Sequence, residues 1–164
     1  MILVVLCLLA TDSLSAQRII LLKTIPDAMR YDHEWIHADP GESLRLVFEN
    51  HCRMQHNWVL CEPGSGVTME VARAAWVLGD AAVAREYVPE HTAVREATAL
   101  VNPGESVHMD FTAPDQPGDY PYVCTLPGHA LTMTGVLHVG SEKKAPLATT
   151  VLERKGFDKT ALER

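Results

Sequence analysis

The sequence predicts an all-β fold, a Greek-key β-sandwich of about eight short strands with one helical insert near residues 67–87. Three observations carry this reading. Several short segments alternate apolar and polar residues at period two, as half-buried strands do. Three Pro-Gly pairs, Pro40-Gly41, Pro103-Gly104 and Pro117-Gly118, separate them. Each pair suits a turn in which proline fixes one φ and glycine takes a positive one. A single Ala-rich stretch breaks the strand pattern.

Arg18–Lys23, Ala28–Tyr31 and Trp35–Ala38 read as the first strands. Ser43–Glu49 follows the first Pro-Gly pair and alternates cleanly, and His56–Cys61 is the next strand-like run. From Val67 to Tyr87 the period changes: Val71, Ala74, Ala75, Leu78, Ala81 and Ala82 fall on one helical face. Thr68 stands where a cap is needed, Glu70 lies in the first turn, and Gly79 weakens the middle. This segment reads as a helix packed on the side of the sandwich, with no chemistry of its own. Ala97–Val101, Ser106–Phe111, Asp119–Cys124 and Thr134–Val139 complete the set. Pro121 has no N–H to give a ladder, which places its strand at an edge or makes it irregular. Pro-Gly-Glu-Ser occurs at both 40–43 and 103–106, two similar hairpin entries too short to be a structural repeat.

The chain has 164 residues, 47% hydrophobic and 21% charged, enough for one domain with a real core. A net charge of −7 argues against a nucleic-acid binder, since there is no basic excess to offset phosphates. Charge is uneven along the chain. Residues 17–140 hold 8 basic against 16 acidic side chains, and residues 141–164 hold 6 against 4. The expected organisation is a signal peptide at 1–16, a β domain at 17–140 and a C-terminal tail or linker at 141–164. The run from Met1 to Ala10 resembles the apolar region of a secretory signal, with small residues following at Ser13 to Ala16, although a basic flank is missing. It is too short to span a bilayer, so no stable membrane span is expected. The competing reading is a buried strand. The tail sets Leu147, Val151, Leu152, Phe157 and Leu162 among charges, which suits a linker, a short helix or a join to a further domain.

Chemistry concentrates in one loop, Cys124-Thr125-Leu126-Pro127-Gly128-His129-Ala130-Leu131-Thr132-Met133. It holds a thiol, an imidazole and a thioether between two strand-like segments. A second imidazole, His56, lies upstream in Met54-Gln55-His56-Asn57-Trp58-Val59. Alone, each is unremarkable: a lone histidine is usually a surface or satisfied core residue, a lone cysteine a small hydrophobe, a lone methionine a core filler. Together, two imidazoles, a thiolate and a weak thioether are the ligand set of a blue-copper electron-transfer site. Soft sulfur suits Cu(I) and imidazole also suits Cu(II), so one cage serves both states. Zinc fits the same cage less well, because closed structural zinc sites use four strong ligands and a thioether is a weak one. Pro127 and Gly128 shape the turn that carries His129 outward. Leu126, Pro127, Ala130 and Leu131 would form an apolar collar around the exposed edge of His129, limiting water and offering a contact face to a redox partner. Asn57 can bond across to the Cys124 loop and lock the two ligand segments together. The remaining histidines form no second cluster, and His33 and His37 read as solvated. With Cys124 used on metal and Cys7 in the signal, Cys52 and Cys61 remain. Two readings stay open for them, a bridge formed in an oxidising compartment or two buried thiols.

The segments Met54–Val59 and Cys124–His129 with Met133 resemble the two ligand segments of the azurins, blue (type 1) copper proteins of the cupredoxin family, with the same internal spacing. Met29-Arg30-Tyr31-Asp32 looks like azurin's second strand, and the 67–91 insert sits where azurins carry a helical flap. The resemblance covers roughly residues 18–140; plastocyanin is more distant. It implies an eight-stranded Greek-key sandwich with copper at one end, His56, Cys124 and His129 as trigonal ligands, and Met133 as the weak axial one. Azurins also use a backbone carbonyl from a glycine before the first histidine. Here that residue is Gln55, which has less conformational freedom. The azurin N-terminal disulfide has no counterpart.

The expected function is a non-enzymatic shuttle of single electrons between redox partners, such as a cytochrome or an oxidoreductase, in the periplasm or otherwise outside the cytoplasm. Two alternatives stand beside it: a copper carrier or storage module, and a redox domain of a larger assembly. No haem-attachment motif, dinuclear-copper loop or supported Cys-His nucleophile appears in the sequence.

Overall fold

The computed structural model describes residues 17–141. The segment read as a signal peptide, and all of the tail after Ser141, lie outside the described residues. Eight strands and one α-helix follow in the order β1 (Arg18–Lys23), β2 (Trp35–Ala38), β3 (Ser43–Glu49), β4 (Val59–Cys61), α1 (Val67–Trp76), β5 (Val94–Ala97), β6 (Ser106–Thr112), β7 (Gly118–Val123) and β8 (Thr134–Val139). One sheet has the order β1-β3-β6 and the other β2-β8-β7-β4-β5. The pairs β1–β3 and β2–β8 are parallel; β3–β6, β7–β8, β4–β7 and β4–β5 are antiparallel.

Period-two alternation puts one face of each sheet inward. Leu44, Leu46 and Phe48 of β3 meet Tyr120 and Tyr122 of β7 and Leu137 and Val139 of β8 in one core, with Trp58 at its centre. Trp58 contacts Tyr122 and Phe111, and Tyr31 stands edge-on to both Tyr122 and Phe48. Strand β4 is buried on both faces. Leu60 faces the main core, whereas Val59 and Cys61 face Val67, Val71 and Ala72 of α1. The helix therefore covers the outer face of the five-stranded sheet.

Several expectations are corrected. Ala28–Tyr31 is not a strand: the chain turns there, Met29 takes a positive φ, and only Tyr31 makes a single bridge, to Thr24. The strands expected at 56–61 and 97–101 are shortened or displaced: β4 begins only at Val59, and β5 runs Val94–Ala97. His56 and Val101 form one isolated bridge, Trp58 N–H donates to the Thr98 side chain, and a regular ladder begins only at Val59, with a register shift at Leu60/Cys61. The helix ends at Trp76 instead of running to Tyr87; a 3-10 turn at Gly79–Ala81 follows, with Gly79 in the left-handed region. Its N-cap is Gly66 with no side-chain cap, so Thr68 does not cap it. Val67, Val71, Ala72 and Ala75 are its buried residues, while Ala81 is exposed. Gly41 and Gly104 turn at positive φ as expected, but Gly118 does not and instead opens β7. Pro121 lies inside the sheet, not at its edge. It sits opposite Val136, whose N–H is used on the other side by Glu34, and β4 pairs β7 only at Tyr122 and Val123. The missing donor of Pro121 therefore falls where no strand needs it.

Candidate metal centre

The expected ligand residues converge. Donor atoms of His56, Cys124 and His129, all buried, lie within 4.8 Å of one another. Among the described residues this is the one group of three or more such side chains so arranged. Cys124 Sγ is 3.7 Å from His56 Nδ1 and 3.3 Å from His129 Nδ1. The two imidazole rings are 4.9 Å apart, centre to centre.

Each ligand segment is held by its own backbone. His56 N–H donates to the Val101 carbonyl at 3.2 Å and Val101 N–H returns a bond to His56 at 2.8 Å. Buried Asn50 ties the same segment down by donating to the carbonyls of Val101 and Met54. In the other loop, Cys124 N–H donates to the Met133 carbonyl at 3.0 Å, Met133 N–H to the His129 carbonyl at 2.8 Å, and His129 N–H to the Leu126 carbonyl at 3.0 Å. Gly128, at φ 83, makes the reversal before His129 that a residue with a Cβ resists. Met133 is fully buried in this loop.

Asn57 makes the expected lock. It accepts from Thr125 N–H at 3.0 Å and donates to Thr125 Oγ1 at 2.8 Å. Its own carbonyl accepts the buried Tyr31 hydroxyl at 2.7 Å. Burial raises the Tyr31 pKa well above the phenol range, so that proton stays in place. Gln55 is exposed on the rim at an ordinary φ, and its side chain donates to Asn102.

The electrostatics suit a cation. Burial, with the neighbouring His129, pushes the His56 pKa down to about 4, and burial lowers that of His129. Both rings are therefore neutral at pH 7 and offer lone pairs. Burial pushes the Cys124 thiol up to about 11, opposed by the backbone N–H groups of Asn57 and Leu126, which favour the thiolate. A metal with bonds of ~2.0–2.3 Å sets trigonal donors roughly 3.5–4 Å apart, close to the separations found here. His56 Nε2 is buried without a hydrogen-bond partner among the described residues. A metal on Nδ1 would fix the tautomer that carries its proton on Nε2. The donor set thus fits copper.

Other expectations need correction. Of the two readings left open for Cys52 and Cys61, the structure has the buried free thiols. Cys52 sulfur contacts the Ile25 carbonyl in one region, while Cys61 lies under α1, its pKa pushed up to about 12 by burial. The collar is only half as drawn: Pro127 and Leu131 are exposed, but Leu126 and Ala130 are buried in the two apolar clusters. His37 is not simply solvated, since its Nε2 contacts the Gly140 carbonyl at 2.6 Å. The reading of the segment after Val67 as chemically silent missed Trp76, Glu86 and Tyr87, all bonded to the ligand segments. It also missed Thr125, whose position directly after the cysteine was the one available signal.

A two-sheet β-sandwich that brings two imidazoles, a thiol and a buried methionine together at one end defines a blue-copper cupredoxin. The family described as copper binding proteins, plastocyanin/azurin family, matches residues 20–140. The chain belongs to that family. It is 32% identical over 114 residues to auracyanin-A of Chloroflexus aurantiacus, covering 69% of this chain and 68% of that one. To auracyanin-B of the same organism it is 36% identical over 121 residues, 72% of this chain and 50% of the relative, so it spans about half of that protein. The solved structure of auracyanin A, described as a "blue" copper protein, superposes with a TM-score of 0.68 at 31% identity, covering 74% of this chain and 98% of that one. A dithionite-reduced auracyanin from Roseiflexus castenholzii gives a TM-score of 0.68 at 30% identity, covering 76% and 98%.

Proposed function

We propose that this protein is an electron shuttle that carries one electron at a time between redox proteins outside the cytoplasm. One copper ion would be held by His56 Nδ1, Cys124 Sγ and His129 Nδ1, with the Met133 sulfur as a weaker donor and the Gln55 carbonyl as a further candidate. When bound, the ion supplies a one-electron Cu(I)/Cu(II) couple. The convergence of the three donor atoms within 4.8 Å is the observation that carries this reading.

The chain's own residues do the rest. Neutral imidazoles and a thiol that gives up its proton form a cage of mixed hardness, tolerable to both valence states. The bond between Asn57 and Thr125 keeps the two ligand segments at fixed separation, so little moves when charge changes. His129 is the ligand nearest solvent, 6% exposed against 0% for His56, and is the natural port for electrons. Pro127 and Leu131 beside it give a redox partner, such as a cytochrome or an oxidoreductase, a small apolar contact. Among the described residues no helix is long and apolar enough to cross a membrane. Export rests on the signal-like run at 1–16. The same interlocked loop disfavours a copper carrier, which needs a labile site.

Copper(II) reconstitution tests the proposal. An intense visible thiolate-to-copper band is expected, absent in Cys124→Ser; a colourless adduct overturns it. Mass spectrometry of the mature protein from the exported fraction, expected to lack residues 1–16, tests the location.

A further inference from the structure

The segment after β4 does more than cover a sheet. Three of its groups reach the ligand segments. Trp76 Nε1 donates to the Thr125 carbonyl at 2.9 Å. The Glu86 carbonyl accepts from Asn57 Nδ2 at 2.9 Å, and the Tyr87 carbonyl accepts from Thr125 Oγ1 at 2.6 Å. With the Asn57 bonds, the backbone N–H, the carbonyl and the hydroxyl of Thr125 are all engaged. Thr125 is fully buried and directly follows the cysteine ligand.

The backbone at 86–87 is unusual. Glu86 and Tyr87 sit at φ 54 and 57, a left-handed pair without glycine. That conformation is disfavoured for residues with a Cβ. It is held by Glu86 N–H on the Val83 carbonyl at 2.9 Å and Tyr87 N–H on the Ala82 carbonyl at 2.8 Å. Its outcome is that two successive carbonyls are delivered to Asn57 and Thr125. Strained backbone persists where surrounding contacts over-determine it, and it gathers at functional sites.

We propose that residues 67–88 form a latch that sets the Cys124 loop in its ligating shape before metal arrives, with Trp76 as the positioning residue. The ligand function of Cys124 rests on the copper reading above; the latch itself is a property of the metal-free chain. Trp76 touches no ligand atom of the group and acts through Thr125. Partly buried, it packs against the cluster under α1, so a phenylalanine keeps an aromatic ring there and removes the N–H.

Amide hydrogen exchange on the metal-free protein gives the test. In Trp76→Phe, the Thr125 and Leu126 amides should exchange at least tenfold faster while Leu46 and Phe48 in β3 are unchanged. Incorporating 3-benzothienylalanine at 76, which keeps the bicyclic shape without the N–H, should give the same result if the phenylalanine variant folds poorly. In the copper-loaded protein, extraction by a chelator should speed up about tenfold with the visible band still present. Unchanged Thr125 exchange, or acceleration spread equally over β3, overturns the latch. A wild-type protein with no visible band would overturn the copper reading instead, and leaves the exchange result to judge the latch alone.

Discussion

The Asn57 carboxamide and Thr125 are bonded in both directions, Thr125 N–H to Oδ1 at 3.0 Å and Nδ2 to Thr125 Oγ1 at 2.8 Å, although 68 residues separate them. Asn57 follows one imidazole and Thr125 follows the thiol, so this pair fixes the distance between the two halves of the centre. Asn57→Ala leaves a buried N–H and two oxygens without their partner. Losing buried partners costs about 1–3 kcal/mol. We expect urea unfolding of the metal-free protein to show a loss of about 2–3 kcal/mol for Asn57→Ala and about 1–2 kcal/mol for Thr125→Val. The double variant should lose less than the two together, since each single change breaks the same bonds. Simple additivity would show that the pair is not coupled.

Burial of the ligands sets the pH response. The His56 pKa in the fold is about 4, below its ordinary value of 6.5, so the unfolded chain binds that proton first as pH falls. Metal-free stability should therefore be full above roughly pH 6.5 and decline toward pH 4, by about 3 kcal/mol at most. His129, also lowered by burial, adds in the same direction. The thiol behaves oppositely. At about 11, Cys124 is protonated at neutral pH and must release its proton to ligate. Calorimetry at pH 7 in buffers of different ionisation enthalpy should record about one proton released per copper. Release near zero would mean that the sulfur does not ligate.

Much of this was legible in the chain. The period-two alternation of Ser43–Glu49 fixes both the strand and its inward face, and the same rule works for Thr134–Val139. The four ligand residues stood out because their spacing is unusual for any other purpose. What sequence could not show was context. His56–Trp58 looks like strand, but its ladder is replaced by bonds to Val101 and the Thr98 side chain. Pro121 looks like an edge marker, yet β4 is too short to need its N–H. The helix stops at Trp76, and the chain beyond it swings back to bring the carbonyls of Glu86 and Tyr87 to Asn57 and Thr125. No local pattern encodes that, because it depends on where Thr125 lies in space.

Gly135 in β8 supports the aromatic core next to the centre. A Cβ there would overlap the ring tip and hydroxyl of Tyr122, a residue fully buried against Tyr31 and Trp58. Tyr122 also donates to the His33 carbonyl, so the ring cannot simply slide aside. Overpacking of this kind costs about 1–3 kcal/mol and sometimes more. Gly135→Ala should reduce unfolding free energy by about 3 kcal/mol and alter the near-ultraviolet circular dichroism of the aromatic cluster. A variant with unchanged stability and spectrum would mean that Tyr122 repacks freely, contrary to the density of this core.

Leu131 separates contact from structure. Its side chain is 74% exposed beside buried His129, so it adds little to the fold. A substitution there should change stability by no more than about 0.5 kcal/mol. If electrons pass at the His129 edge, two copies of the protein must bring these faces together to exchange an electron with each other. Leu131→Glu then places like charges in that contact, on a domain already rich in acid, and replaces apolar surface with a hydrated carboxylate. Electron self-exchange between reduced and oxidised copies, followed by NMR line broadening, should slow at least tenfold at low salt and recover in part as salt rises. An equal rate in the variant would place the electron port elsewhere on the surface.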